Sequence, residues 1–199
     1  WMLPAALLLT GCGYNKIQSL DEQAQSAKQQ IQVQLQRRAD LIPNLVNTVK
    51  GVTKQEDTVY ISIANARAQL AGAVKSGDPA QMAAADQAAT GAIGRLLAIA
   101  ENYPQLKSNE NFLALQDELT GTENRVAVSR GDYNSAVQAY NTYIRTFPQA
   151  ITAKVTGAKP RTYYEAGASA QNAPGVKFQP AGRTELQAHL GLTGDGLNR

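Results

Sequence analysis

The sequence contains one cysteine and one histidine in 199 residues, and both scarcities exclude chemistry. A lone cysteine permits neither an intramolecular disulfide nor a four-thiolate zinc site. His189 lies in a stretch without periodic pattern, far along the chain from any ordered acid or nucleophile, so no Ser-His-Asp arrangement is expected. Aromatic residues make up only 6% of the chain, which speaks against an aromatic-rich β core. There is no Lys/Arg-rich run; 19 basic and 16 acidic residues are scattered to a formal charge of +3, and nucleic-acid binding is not expected. Gly91 and Gly94 sit in an alanine-rich stretch without a preceding strand or a Gly-Lys-Ser/Thr, so they do not make a phosphate loop. The adjacent acids Asp21-Glu22 and Asp117-Glu118 point to different helix faces and read as solvated surface. These absences lead us to expect a non-enzymatic protein with no catalytic residues, no cofactor and no metal.

Abundant Ala, Gln and Asn favour helices packed through small residues, and the length suits one domain. Residues 1 to 11, Trp-Met-Leu-Pro-Ala-Ala-Leu-Leu-Leu-Thr-Gly, are uncharged and largely apolar, after which the chain turns polar at Tyr14-Asn15-Lys16. This reads as a signal-peptide core, too short to span a bilayer alone. Trp1 before Met2, with no basic region, leads us to expect a natural start further upstream. Leu9-Thr10-Gly11-Cys12 resembles the bacterial lipobox, which would make Cys12 the lipidated first residue of a mature lipoprotein, held by the several acyl chains that stable anchoring requires. An uncleaved apolar anchor, with Cys12 incidental, is the alternative reading. The segment 1–13 is thus expected to be the membrane anchor.

From Ile17 to Ala73 apolar residues keep a seven-residue beat (Ile17, Ala24, Ile31, Leu45, Val52, Val59, Ala66, Ala73), which predicts one long amphipathic helix kinked but unbroken at Pro43. Ser76-Gly77-Asp78-Pro79 stops it and starts a second, alanine-rich helix to residue 101, with Asp78 as N-cap. Tyr103-Pro104 ends that helix, and Ser108 or Asn109 caps a third, on which Phe112, Leu119, Val126, Tyr133, Tyr140 and Phe147 recur every seven residues. At 1.5 Å per residue the third helix would be on the order of 60 Å long. Short connections make neighbours antiparallel, so the expected fold is all-α: an elongated antiparallel bundle of long heptad-patterned helices over 14–165, followed by a mostly irregular tail over 166–199.

Four charges occupy packed positions. Arg38 and Glu56 fall on the apolar rows of the first long helix, Glu123 and Arg130 on those of the last. Lone buried charges are costly, so opposite signs on facing helices predict an interhelical network that fixes register. Tyr133-Asn134 and Tyr140-Asn141 repeat seven residues apart, and the stripe Tyr133, Tyr140, Phe147 is read as core with hydroxyls at the rim.

The blocks Tyr14-Asn15, Arg37-Arg38-Ala39-Asp40-Leu41-Ile42-Pro43-Asn44-Leu45-Val46, Tyr103-Pro104-Gln105-Leu106-Lys107, Leu115-Gln116-Asp117-Glu118-Leu119, Thr122-Glu123-Asn124-Arg125, Arg130 to Asn134, Tyr140-Asn141 and Arg145-Thr146-Phe147-Pro148 strongly resemble the LemA family, over about residues 12 to 178. The resemblance implies an all-α, membrane-associated bacterial protein without established enzymatic activity, encoded near membrane metalloproteases or small envelope domains. Gln55-Glu56 replaces the family's usual His-Glu, and Ala27-Lys28 lies where a tryptophan is common. The expected role is a cell-envelope scaffold that self-associates as a homo-oligomer, on the extracytoplasmic face if lipidated. The alternative is an adaptor for a membrane-protein client such as a metalloprotease.

Overall fold

The computed structural model of the chain describes residues 3–51 and 57–165, and among these all regular structure is helical. The helices are α1 (Leu3–Lys50), α2 (Asp57–Ser76), α3 (Pro79–Ala100), α4 (Pro104–Lys107), α5 (Glu110–Tyr143) and α6 (Gln149–Thr156). Two antiparallel pairs carry the fold, α1 with α5 and α2 with α3, and α2 also runs along α1. Cross-contacts fix the directions: Gln34 meets Arg125 and Arg37 meets Glu118 between α1 and α5, Gln32 donates to the Val74 carbonyl and Arg67 to the Ala39 carbonyl between α1 and α2, and Arg95 reaches Ser62 between α3 and α2, which a two-residue turn joins.

Local signals explain most boundaries. Gly77 takes φ 68, a left-handed turn that a β-carbon resists, just after α2. Asp78 then accepts the Ala80 N–H at 2.9 Å while Pro79 opens α3 with its φ already helical. Asn109, rather than Ser108, caps α5 by accepting the Phe112 N–H at 3.1 Å. Gly157, at φ 72, ends α6.

The single helix expected over 17–73 is instead two. α1 passes through Pro43, ends at Lys50 and is followed by α2 running the other way. Gly51, Val52 and Thr53 are poor helix formers. The heptad beat survives this break because both helices turn their apolar rows to the same core, so periodicity cannot tell a straight helix from one folded back on itself. The last long helix is also shorter than expected: it stops at Tyr143, which leaves Phe147 in the following turn, 78% exposed and outside the core. The eight-residue α6 had no sequence forecast. The tail expected at 166–199 lies outside the described residues.

The core has three stretches along the bundle. At the middle, Ile31, Leu35, Leu70, Met82, Ala89, Val126, Tyr133 and Val137 meet; α3 contributes small residues that let it approach closely. Toward the ends of α1 and α3 lie Ile42, Leu45, Ile63, Leu96, Leu106 and Phe112. At the end where α1 begins, Ile17 and Leu20 pack with Tyr140, Ile144 and Ala153 of α6. Each fully buried Leu or Ile contributes about 1.5–3 kcal/mol relative to exposure. Among the described residues no helix is long and apolar enough to cross a membrane.

Candidate functional site

The apolar middle of the bundle is interrupted by one cation. Arg38 follows Leu35 by three residues on the buried row of α1 and is itself only 2% exposed. Its Nη1 donates to Asp86 Oδ1 of α3 at 2.6 Å, and its Nη2 lies 3.6 Å from Glu123 Oε2 of α5. One planar guanidinium therefore ties three helices, a task its fixed fork of donors suits. Its Nε is buried with no hydrogen-bond partner among the described residues. Burial pushes the Asp86 carboxyl above the ordinary carboxylate range, and the Arg38 guanidinium pulls it back. Glu123 is half-exposed, so its contact with Arg38 is the weaker one.

Sequence reasoning placed Arg38 and Glu123 on facing rows, and the structure brings them together. It missed the closer partner. Asp86 follows Met82 by four and precedes Ile93 by seven, on an apolar row of α3, so the signal that drew attention to Arg38 was present there too. Arg130 does not join this ion pair; its guanidinium stacks over the Tyr164 ring, 4.8 Å from the centroid. Glu56 lies outside the described residues.

A second constellation joins α5 to the chain that follows α6. Asn141 Nδ2 donates to the Arg161 carbonyl at 2.9 Å, and the Arg161 N–H donates to Asn141 Oδ1 at 2.8 Å. One repeat earlier, Asn134 makes the same two-way exchange with Tyr164, at 3.0 and 2.8 Å. Between them Tyr133 donates its hydroxyl to the Thr162 carbonyl at 2.7 Å. The spacing has a simple origin. Seven helical residues advance about 10.5 Å, and three residues of nearly extended chain span about 10 Å. An asparagine amide presents an N–H donor and a carbonyl acceptor side by side, so each can match the C=O and N–H of one extended residue as a neighbouring strand would. The Tyr-Asn repeat is therefore a clamp for residues 161–164 as well as a packing stripe.

Arg161 adds a third tie. Its Nε and Nη2 grip the two Asp21 carboxylate oxygens at 2.7 and 2.9 Å, and Nη1 reaches Gln25 at 3.3 Å. The hydrogen bond from Arg161 holds the Asp21 carboxyl below the usual carboxylate range, against the opposing effect of burial. Asp21 is thus an anchor point on α1, not the free surface charge its neighbour suggested. The buried Tyr164 side chain fills the space between these ties, and burial, reinforced by the nearby Asp86 charge, drives its hydroxyl far above the ordinary range. Tyr133 and Tyr140 are buried and raised in the same direction, so all three phenols stay protonated and are poor bases.

These groups bind helices and a chain segment to one another. Among the described residues no cluster of three or more His, Cys, Asp or Glu is arranged to hold a metal. Cys12 lies within the backbone of α1, and its side chain is outside the described part of the structure.

Fold and polar centre together define an all-α bundle whose buried ion pair and asparagine clamp lock helices and the chain after α6 in place. The chain belongs to the LemA family, whose model matches residues 27–178. It is similar to magnetosome protein MamQ 2 of Paramagnetospirillum magneticum strain AMB-1 and to magnetosome protein MamQ of Magnetospirillum gryphiswaldense strain MSR-1. Each is 26% identical over 76% of this chain. The chain spans 64% of the length of these relatives. Family membership supports the coarse reading of a membrane-associated envelope protein.

Proposed function

We propose that this protein is an envelope scaffold, tethered to the membrane through the segment ending in Cys12 and self-associating through the outer faces of its long helices. The observation that carries self-association is the pair Val33 of α1 and Val128 of α5, which stand 63% and 65% exposed. They lie at the same level of the antiparallel pair, since Arg38, five residues after Val33, faces Glu123, five residues before Val128. Two apolar residues left outward at one level of the α1–α5 pair fit a contact with a second copy. Size measurement of the full chain after gentle detergent extraction tests it: a dimer or larger form is expected, reduced to a monomer by Val33→Asp with Val128→Asp. A monomeric parent chain overturns the scaffold reading. Intact mass tests the tether, with an acylated species beginning at Cys12 for lipidation and a retained apolar segment for an uncleaved anchor.

A second reading, an adaptor for a membrane-protein client, is favoured by a different feature. At the far end of the bundle from the tether, a cleft of about 220 Å³ is lined by Leu97, Phe112 and Leu113 with Glu101 and Lys107 beside them. Crosslinking in cells from Leu113 distinguishes the two readings, since a heterologous membrane protein captured there favours the adaptor.

A further inference from the structure

At the end of the bundle where α1 begins, three large apolar side chains project outward. Phe147, in the turn before α6, is 78% exposed; Ile151 and Val155 follow at four-residue intervals, 59% and 83% exposed. Ile151 and Val155 share one face of α6. The opposite face carries Ala153, buried against Ile17, Leu20, Tyr140 and Ile144. α6 therefore docks on the bundle through a small residue and turns its bulky apolar face away, the reverse of a helix that meets only water.

Position and charge both indicate what covers that face. Thr152 packs against Gly13: its Oγ1 would lie 3.6 Å from a β-carbon built there. The preceding residue is Cys12, and residues 3–11 before it are apolar in sequence and helical in backbone. Acyl chains on Cys12 or an inserted apolar helix would equally put Gly13 at the lipid boundary, and α6 is held beside it. The charge is one-sided as well. Residues 133 to 164 contain no Asp or Glu but include Arg145, Lys154, Lys159 and Arg161. Arg161 is engaged by Asp21, whereas Arg145, Lys154 and Lys159 are exposed, as is Lys16 on the adjoining turn of α1. Apolar side chains flanked by exposed cations, on a segment with no acid of its own and with Asp21 of α1 already paired to Arg161, match the surface of an anionic bilayer, where each basic group near the headgroups adds to the hydrophobic insertion.

We propose that α6 and the turn before it are an interfacial membrane contact, in which Phe147, Ile151 and Val155 enter an anionic lipid surface beside the tether. The proposal rests on the tethering reading above. It adds that the bundle is seated on the membrane at a fixed height, with the helix ends carrying Leu97 and Phe112 directed away from the lipid.

The test uses the full chain with Trp1→Phe, reconstituted in phosphatidylcholine vesicles containing about one third phosphatidylglycerol. A tryptophan is placed at Phe147, at Val155 or, as control, at Ile61 of α2, which is 60% exposed and has no part in either proposed contact. Lipids brominated near the headgroup are expected to lower emission at positions 147 and 155 by at least about twofold and to leave position 61 unchanged. If the chain floats with the vesicles while 147 and 155 are quenched by aqueous acrylamide as readily as 61, the contact is overturned and the tether stands. A chain that does not float overturns both. Shielding of 147 and 155 from bromine and acrylamide alike marks a second copy or another protein on this face, and also overturns the proposal.

Discussion

Asn141 and Arg161 hold each other by two hydrogen bonds of 2.9 and 2.8 Å, side-chain amide to backbone, so an asparagine on α5 does for residue 161 what a neighbouring strand would do. Asn134 repeats the arrangement at Tyr164. Replacing either asparagine with Leu leaves a part-buried N–H and C=O unmatched, and each change is expected to cost about 1–3 kcal/mol. Because both clamps hold one segment, the double variant should cost less than the sum of the singles. Denaturant melts give the energies, and hydrogen exchange at the Arg161 and Tyr164 amides locates them. Amides that stay protected in Asn134→Leu and Asn141→Leu would sink the clamp.

The helical architecture was legible because its signals are local. Gly77-Asp78-Pro79 carries a left-handed stop, a capping carboxylate and a fixed φ within three residues, and the apolar rows of α1, α3 and α5 line the observed core. What escaped were features whose partner has no pattern. Residues 161–164 show no periodicity, since their backbone is matched by side chains elsewhere; the Tyr-Asn repeat was visible while its occupant was not. The reversal after Lys50 was hidden because six intervening residues keep the heptad phase. Asp86 was overlooked among alanines although it occupies an apolar row.

Arg38 and Asp86 form the buried pair, and removing one member should be far worse than removing both. Arg38→Met strands the Asp86 carboxyl in a buried site with Glu123 nearby, at an expected cost of about 3–5 kcal/mol. Arg38→Met combined with Asp86→Leu should recover most of it, since well-packed apolar replacements of buried pairs are often near neutral. Glu123→Ala, at a half-exposed position 3.6 Å away, should cost less than about 1 kcal/mol. Thermal melts of the three variants decide this; equal losses in the single and double Arg38 variants would show that packing, not charge, governs the site.

Acid should act on Asp21 and Asp86 with opposite sign. The Asp21 carboxyl is lowered in the folded chain by its bond from Arg161, so its contribution is present above the unfolded value near 4 and is lost as pH falls through the folded one. Asp86 is raised by burial, so its ionisation weighs against folding at neutral pH and that penalty disappears on acidification. Asp21→Asn should therefore lower stability at pH 7 by on the order of 1 kcal/mol, discounted for solvent access, and the gap to the parent should close as pH falls below about 4. In Asp86→Asn the gap should persist or widen on acidification. Melts from pH 7 to 2 check both, and a constant offset for Asp21→Asn would refute the assignment.

Tyr164 offers the converse test, because its hydroxyl is the part of the side chain that contributes least. The oxygen is buried with no hydrogen-bond partner among the described residues, while the ring lies under Arg130 and the backbone is clamped by Asn134. A buried hydroxyl without a partner costs about 1–3 kcal/mol, part of which Tyr164→Phe removes while keeping the ring and both backbone bonds. The Phe variant should thus match or exceed the parent by up to about 1 kcal/mol, whereas Tyr164→Ala should lose about 3–5 kcal/mol through the cavity it leaves. Alkali sharpens the comparison. Burial holds the Tyr164 phenol protonated far above its ordinary range, so the stability tied to it is complete below the unfolded value near 10 and falls as pH rises past it. Above about pH 10 the parent should weaken more steeply than Tyr164→Phe, with Tyr133 and Tyr140 supplying the slope both share. A Phe variant less stable than the parent at pH 7 and parallel to it at pH 11 would mean the hydroxyl is satisfied and in contact with solvent.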